Sequence, residues 1–138
     1  METIIWQIKN NTRSHFALPL RSNLTDEDIV ALVKVLTDNT SMLSLDLSGR
    51  FAVNAKCGQA LGTALVHNKT LLILMCSNTL LHDDGVIAIC QALTTNNTVE
   101  ILSLSNTHIT TAAVDSIAQM LCDNRSLTFV NLSENIIG

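Results

Sequence analysis

Val99–Glu100–Ile101–Leu102–Ser103–Leu104–Ser105–Asn106–Thr107–His108–Ile109 is the stretch that decides the architecture, because the chain writes it several times. Copies begin at Met42, Leu71 and Leu127, and a weaker one runs from His15 to Thr25, so the period is about 28 residues. Each full copy is followed by an apolar stretch with helical spacing and then by a polar turn containing Asn. A fixed period of this size predicts a solenoid, since one such unit can bury its apolar face only against the next.

Within the repeat, alternation at period two marks a short strand. Its inward columns read Leu18, Leu45, Leu74, Leu102, Val130 and Leu20, Leu47, Cys76, Leu104, Leu132. Three residues further on stand Asn23, Arg50, Thr79, Thr107 and Asn135; all but Arg50, the poor fit of the column, are turn residues suited to the end of the strand. The repeat from Met42 to Leu71 is one residue longer, which predicts an irregular loop over Gly49–Asn54. The helical halves carry stripes at spacings of three and four: Ile29, Leu32, Val33, Leu36; Cys57, Ala60, Leu61, Ala64, Leu65; Val86, Ile89, Ala92, Leu93; Val114, Ile117, Met120, Leu121. Small residues at Cys57, Gly85 and Ala113 share one column near the helix start and predict close packing there. Asp26 or Asp83, and later Thr110 or Thr111, are the expected helix caps.

The pattern L-x-x-L-x-L-x-x-N-x-I, a helix and then N-x-T resembles the leucine-rich repeat of the ribonuclease-inhibitor-like subfamily over residues 15–138. That resemblance implies an α/β solenoid, with a curved parallel sheet on the concave side, helices on the convex side, and a role in protein–protein recognition. It supplies no catalytic residues. The expected organisation is a single domain: an N-terminal cap over 1–14, four repeats over 15–126, and an incomplete fifth repeat over 127–138. Thr3–Ile8 reads first as a capping strand or hairpin with Phe16–Leu20, and otherwise as the last half-helix of an earlier repeat.

Composition narrows the function. Hydrophobic residues make up 47% and charged residues 14% of 138, so the chain is ordered. A net charge of −4 with eight scattered Lys and Arg argues against nucleic acid and anionic membranes. No apolar run is long enough to span a bilayer, and the N-terminus lacks the basic start of a signal peptide. Cys57, Cys76, Cys90 and Cys122 follow no CxxC spacing and read as small buried hydrophobes of a reducing compartment, hence a cytoplasmic location, or host cytoplasm for a bacterial effector. N-x-S/T triplets at Asn39, Asn68, Asn96 and Asn124 read as turn residues rather than glycan acceptors. His82 and His108 fall at one loop level but lack further metal ligands, and Asp83–Asp84 suit a helix N-terminus. No nucleophile elbow or phosphate loop occurs, so no catalytic, cofactor or metal site is expected.

The informative surface is the outer face of the sheet. Its columns read Ala17, Ser44, Ile73, Ile101, Phe129, then Pro19, Asp46, Met75, Ser103, Asn131, then Arg21, Ser48, Ser77, Ser105, Ser133. Ile73, Met75, Ile101 and Phe129 form an apolar ridge, and contiguous exposed apolar patches mark binding sites. The expected partner-binding residues are therefore Ile73, Met75, Ile101, Ser103, Phe129, Asn131 and Asp46. The expected function is a non-catalytic module that binds another protein; regulation of an enzyme, of the GTPase-activating or inhibitor type with Arg50 as its one unusual residue, is the alternative. Val130, Leu132, Ile136 and Ile137 at the last strand lack a covering helix and predict self-association as a homodimer.

Overall fold

The computed structural model describes residues 2–17 and 23–137. The order of elements is α1 (Glu2–Lys9), β1 (His15–Ala17), α2 (Asp26–Lys34) running into a 3₁₀ turn (Val35–Asp38), β2 (Ser44–Asp46), α3 (Ala55–His67), β3 (Ile73–Met75), α4 (His82–Leu93), β4 (Ile101–Ser103), a 3₁₀ turn (Thr111–Ala113) leading into α5 (Val114–Asp123), and β5 (Phe129–Asn131). The strands form one parallel sheet in sequence order, β1-β2-β3-β4-β5. The helices stack in the same order behind it, α2 on α3, α3 on α4 and α4 on α5. This is the α/β leucine-rich-repeat solenoid expected from the period, with the sheet as the inner face and the helices as the outer one.

The core is a continuous column rather than a ball. Leu45, Leu74 and Leu102 are wholly buried, as are Leu47, Cys76 and Leu104 two residues later. Register confirms the period-two reading: Leu45 pairs with Leu74, Leu74 with Leu102 and Leu102 with Val130. The first repeat differs from expectation. Phe16, not Leu18, pairs with Leu45, and His15, not Ala17, pairs with Ser44. Positions 18–22, including Leu18, Pro19, Leu20 and Arg21, lie outside the described residues.

The N-terminal segment is a helix, not a strand or hairpin. Ile8 at its end is buried and belongs to the core, as Leu36, Leu65 and Leu93 do at the ends of later helices. The remaining helix stripes are buried as expected except for Ala60, which is half-buried, and at the last repeat. Val114 is 36% and Leu121 54% exposed, because among the described residues no further helix packs against α5.

Caps follow local chemistry with two changes, at Asp26 and Asp83. Thr25, not Asp26, caps α2: its hydroxyl accepts from Asp28 N–H while the Asp28 carboxylate accepts from Thr25 N–H, a reciprocal box. Asp26 instead links repeats. It accepts from Asn54 Nδ2 at 3.0 Å and lies 3.7 Å from Lys56 Nζ. The bond from Asn54 above all, helped by Lys56, holds its carboxyl below the ordinary range. Thr110 caps the 3₁₀ turn through Ala112 N–H, as expected, and Asp83 accepts from Thr110 rather than capping α4.

The turns from helix to strand are held by a buried asparagine column. Asn68 Nδ2 donates back to Leu36 O and Asn39 O of the preceding repeat, and its Oδ1 accepts from Thr70 N–H and Leu71 N–H of its own. Asn96 and Asn124 repeat this pattern one and two units later. Asn39 does the same toward Ile8 O, with Ser41 and Met42 donating to it. Each side chain thus satisfies backbone groups that the end of a helix and the start of a strand would otherwise leave unpaired in the interior. Asn39, Asn68 and Asn96 are at most 3% exposed, which supports the reading of these triplets as structural.

Candidate protein-binding face

The outer face of the sheet is where the alternation of the strands has its functional consequence. With Leu45, Leu74 and Leu102 turned into the core, their neighbours on either side face out. One row, taken across the paired strands, is His15, Ser44, Ile73, Ile101 and Phe129. The next is Ala17, Asp46, Met75, Ser103 and Asn131. Adjacent strands lie about 4.8 Å apart, so consecutive members of a row are in side-chain contact.

The face is divided. Over β1 and β2 it is polar, with His15, Ser44 and the Asp46 carboxylate. Over β3 to β5 it is apolar, with Ile73, Met75 and Ile101 half-buried and Phe129 55% exposed. Of the residues singled out from the sequence, these four and Asp46 come together on one surface. Ser103 sits differently. It is 4% exposed, and its hydroxyl is 2.6 Å from that of Ser77, so it underlies the patch rather than projecting from it. Asn131 is half-buried and its Oδ1 accepts from Ser133 N–H at 3.0 Å, as Asp46 Oδ1 accepts from Ser48 N–H at 2.9 Å. In both places the side chain shapes the turn that leaves the strand.

Two things were not found from the sequence. His15 belongs to the outer row because β1 is displaced by two residues from the assumed alignment. The signal was present: Asn10–Asn11–Thr12 matches Asn39–Thr40–Ser41 and Asn96–Asn97–Thr98, and counting from those asparagines brings His15 onto Ser44 and Phe16 onto Leu45. The second is Phe51, 78% exposed in the loop that carries the extra residue after Gly49. Only its position in an irregular loop set it apart. Val130 and Leu132 are half-buried on the core side of β5 and Ile136 is 78% exposed beside them.

Elsewhere, His82 and His108 do approach, with ring centroids 5.1 Å apart and both rings exposed. Among the described residues no group of three or more His, Cys, Asp or Glu side chains is placed to hold a metal ion. Cys57, Cys76 and Cys90 are buried as expected; Cys122 is exposed on the outside of α5. Burial pushes the thiols of Cys57 and Cys76 up, and that of Cys90 up to about 12, so none of the three is a nucleophile at neutral pH. No helix among the described residues is long and apolar enough to cross a membrane.

No protein-family model matches the chain, and no curated protein sequence does. Solved structures do. Leiomodin-1 actin-binding site 2 superposes with a TM-score of 0.87 over 95% of this chain and 78% of that one, at 25% identity. The C-terminal domain of Caenorhabditis elegans tropomodulin superposes with a TM-score of 0.83 over 96% of this chain and 81% of that one, at 12% identity, a level that speaks for the fold alone. These neighbours correct the subfamily read from the sequence. The repeat pattern identifies a leucine-rich-repeat fold, but the chain resembles tropomodulin and leiomodin domains, not ribonuclease-inhibitor-like proteins. In the turn after the strand, the hydroxyls of Thr79 and Thr107 donate to carbonyls three residues back, Cys76 O and Leu104 O, and Asn135 Nδ2 donates both to Leu132 O, three residues back, and to Leu104 O of the preceding repeat. A likeness to a structure described by its binding of a protein is compatible with a module that has no catalytic role.

Proposed function

We propose that this chain is a non-catalytic protein-binding module whose partner is actin, engaged through the apolar part of its sheet face. The observation that carries the partner is the superposition on leiomodin-1 actin-binding site 2 across almost the whole chain. The face is argued from physics. Ile73, Ile101 and Phe129 are aligned on neighbouring strands beside Met75, and a contiguous apolar row in contact with water is stabilised by being covered. Asp46 and Asn131 flank this row and supply polar contacts at its rim, the usual arrangement of an interface. A reducing, cytoplasmic setting accords with four cysteines that are all free thiols.

The test is co-sedimentation with actin filaments together with a titration of monomeric actin, comparing the unaltered chain with Ile101→Asp. Binding should be lost in the variant while its far-UV circular dichroism still shows the folded chain, because Ile101 faces away from the buried Leu102 column. Equal binding by the two proteins would remove the sheet face from the proposal. Failure of the unaltered chain to bind either form of actin would remove actin.

A further inference from the structure

Resting on the reading of the sheet face as the binding surface, we infer that its occupant is a single amphipathic α-helix laid across the strands, with a basic side chain over Asp46 and apolar side chains over Ile73, Ile101 and Phe129. The argument is one of spacing and charge. The three apolar members of the row sit on consecutive strands. They are therefore about 4.8 Å and 9.6 Å from the first to the second and third. A helix lying along that direction advances about 1.5 Å per residue, so residues i, i+3 and i+7 fall at roughly 0, 4.5 and 10.5 Å and point to one side. An extended segment in the same direction repeats its facing side chains every ~6.6 Å, and by the third contact it is several ångströms out of step. A helix keeps register with this row and a strand does not.

Charge fixes which way the helix is loaded. Asp46 stands one strand before Met75, at the polar end of the face, and its row continues into apolar Met75. The strands on the apolar side, β3 to β5, carry no charged residue at all. One strand before Ile73 the row itself holds Ser44, and Asp46 lies two residues further along β2, about 6.6 Å away. A long cationic side chain one helical turn before the first apolar contact reaches that carboxylate, while an acidic one there meets a like charge. The partner segment thus has the order basic, then apolar at three spacings of three or four residues, the helix-in-groove mode of recognition.

The probe is a pair of fluorescent peptides of identical composition. In one, Arg precedes three Leu at helical spacing; in the other the same residues alternate. A third peptide has Glu in place of Arg. The helical Arg peptide should bind the full chain at least ~10-fold more tightly than the alternating one, a difference easily read by anisotropy. It should also bind about threefold more tightly than the Glu peptide, the scale of an exposed ion pair. In Asp46→Asn, whose amide oxygen can still accept from Ser48 N–H, that preference for Arg should vanish while the preference for the helical pattern remains. Equal or tighter binding of the alternating peptide, absence of binding by the helical one, or an Arg preference that survives Asp46→Asn overturns the inference. The effect of Ile101→Asp on actin is measured separately. Actin binding that depends on Ile101, with a helical peptide that fails, sinks the helix and leaves the sheet face standing.

Discussion

A β-carbon placed on Gly58 would lie 2.5 Å from the α-carbon of Gly85, so the helices α3 and α4 meet backbone to backbone at this point. Alanine in a helix interior normally adds up to about 1 kcal/mol over glycine. Here the obstacle is main chain, which cannot swing aside, and overpacking of this kind costs about 1–3 kcal/mol. Gly58→Ala should therefore destabilise the fold in chemical denaturation, against the helix-propensity trend. The exposed neighbour Gln59, changed to Ala, should be close to neutral.

Asn96 ties two repeats together from the interior. Its removal leaves Leu65 O, Asn68 O and the N–H groups of Thr98 and Val99 without the partner shown for them. An unsatisfied buried polar group costs about 1–3 kcal/mol, so Asn96→Ala should lose roughly 3 kcal/mol or more. Asn97, next to it and exposed, should tolerate the same change within about 0.5 kcal/mol. Urea denaturation of the two variants checks the difference.

The thiols separate by position. Cys122 should react with an aromatic disulfide reagent at once, and Cys57, Cys76 and Cys90 only when the chain unfolds, giving one fast equivalent in the native state. The raised thiol of Cys90 also sets an alkaline limit. Its folded-state value near 12 lies above the ordinary 9.0, so its contribution is complete below pH 9 and is lost as pH rises from 9 toward 12. The loss is about 1.4 kcal/mol per pH unit for one such group. With no tyrosine in the chain, denaturation midpoints measured from pH 8 to 11 should report it, and Cys90→Ala should reduce the slope, leaving the part that the raised thiols of Cys57 and Cys76 contribute.

Beyond β5 no further strand pairs among the described residues, and Phe129, Ile136 and Leu121 are exposed around it. For the chain as given we propose self-association through this edge, because uncovered strand edges invite pairing. Sedimentation at micromolar and higher concentrations should show a dimer, and Ile137→Lys should restore the monomer. A monomer at every concentration in both proteins would dismiss the idea.

The solenoid was legible because three independent periodicities agree: the leucine rows, the helix stripes and the spacing of the asparagines. Interior columns such as Leu45, Leu74 and Leu102 follow from alternation alone. The ends were less legible. Thr3–Ile8 is rich in β-branched residues and reads locally as a strand, yet it is helical, because Ile8 gains a buried place under Asn39 when the segment turns as a helix. Propensity there yields to packing. The face was legible as an alternation but not as a set of exposures: Ser103 is drawn under Ser77 by a hydroxyl contact that no pattern of single residues announces. The repeat consensus specifies the leucine-rich-repeat fold, and the structural neighbours, not the consensus, correct the subfamily.

The asparagine column places the chain before a choice of chemistry. Asn39, Asn68 and Asn96 each head an acceptor triplet for an N-linked sugar, and each amide nitrogen is already spent on carbonyls of the preceding unit. A sugar attached to one of these nitrogens before the turn closes would hold neighbouring repeats apart, and a closed turn hides the nitrogen from the transferase. Were the chain to meet such a transferase, folding and glycosylation would compete for the same atoms.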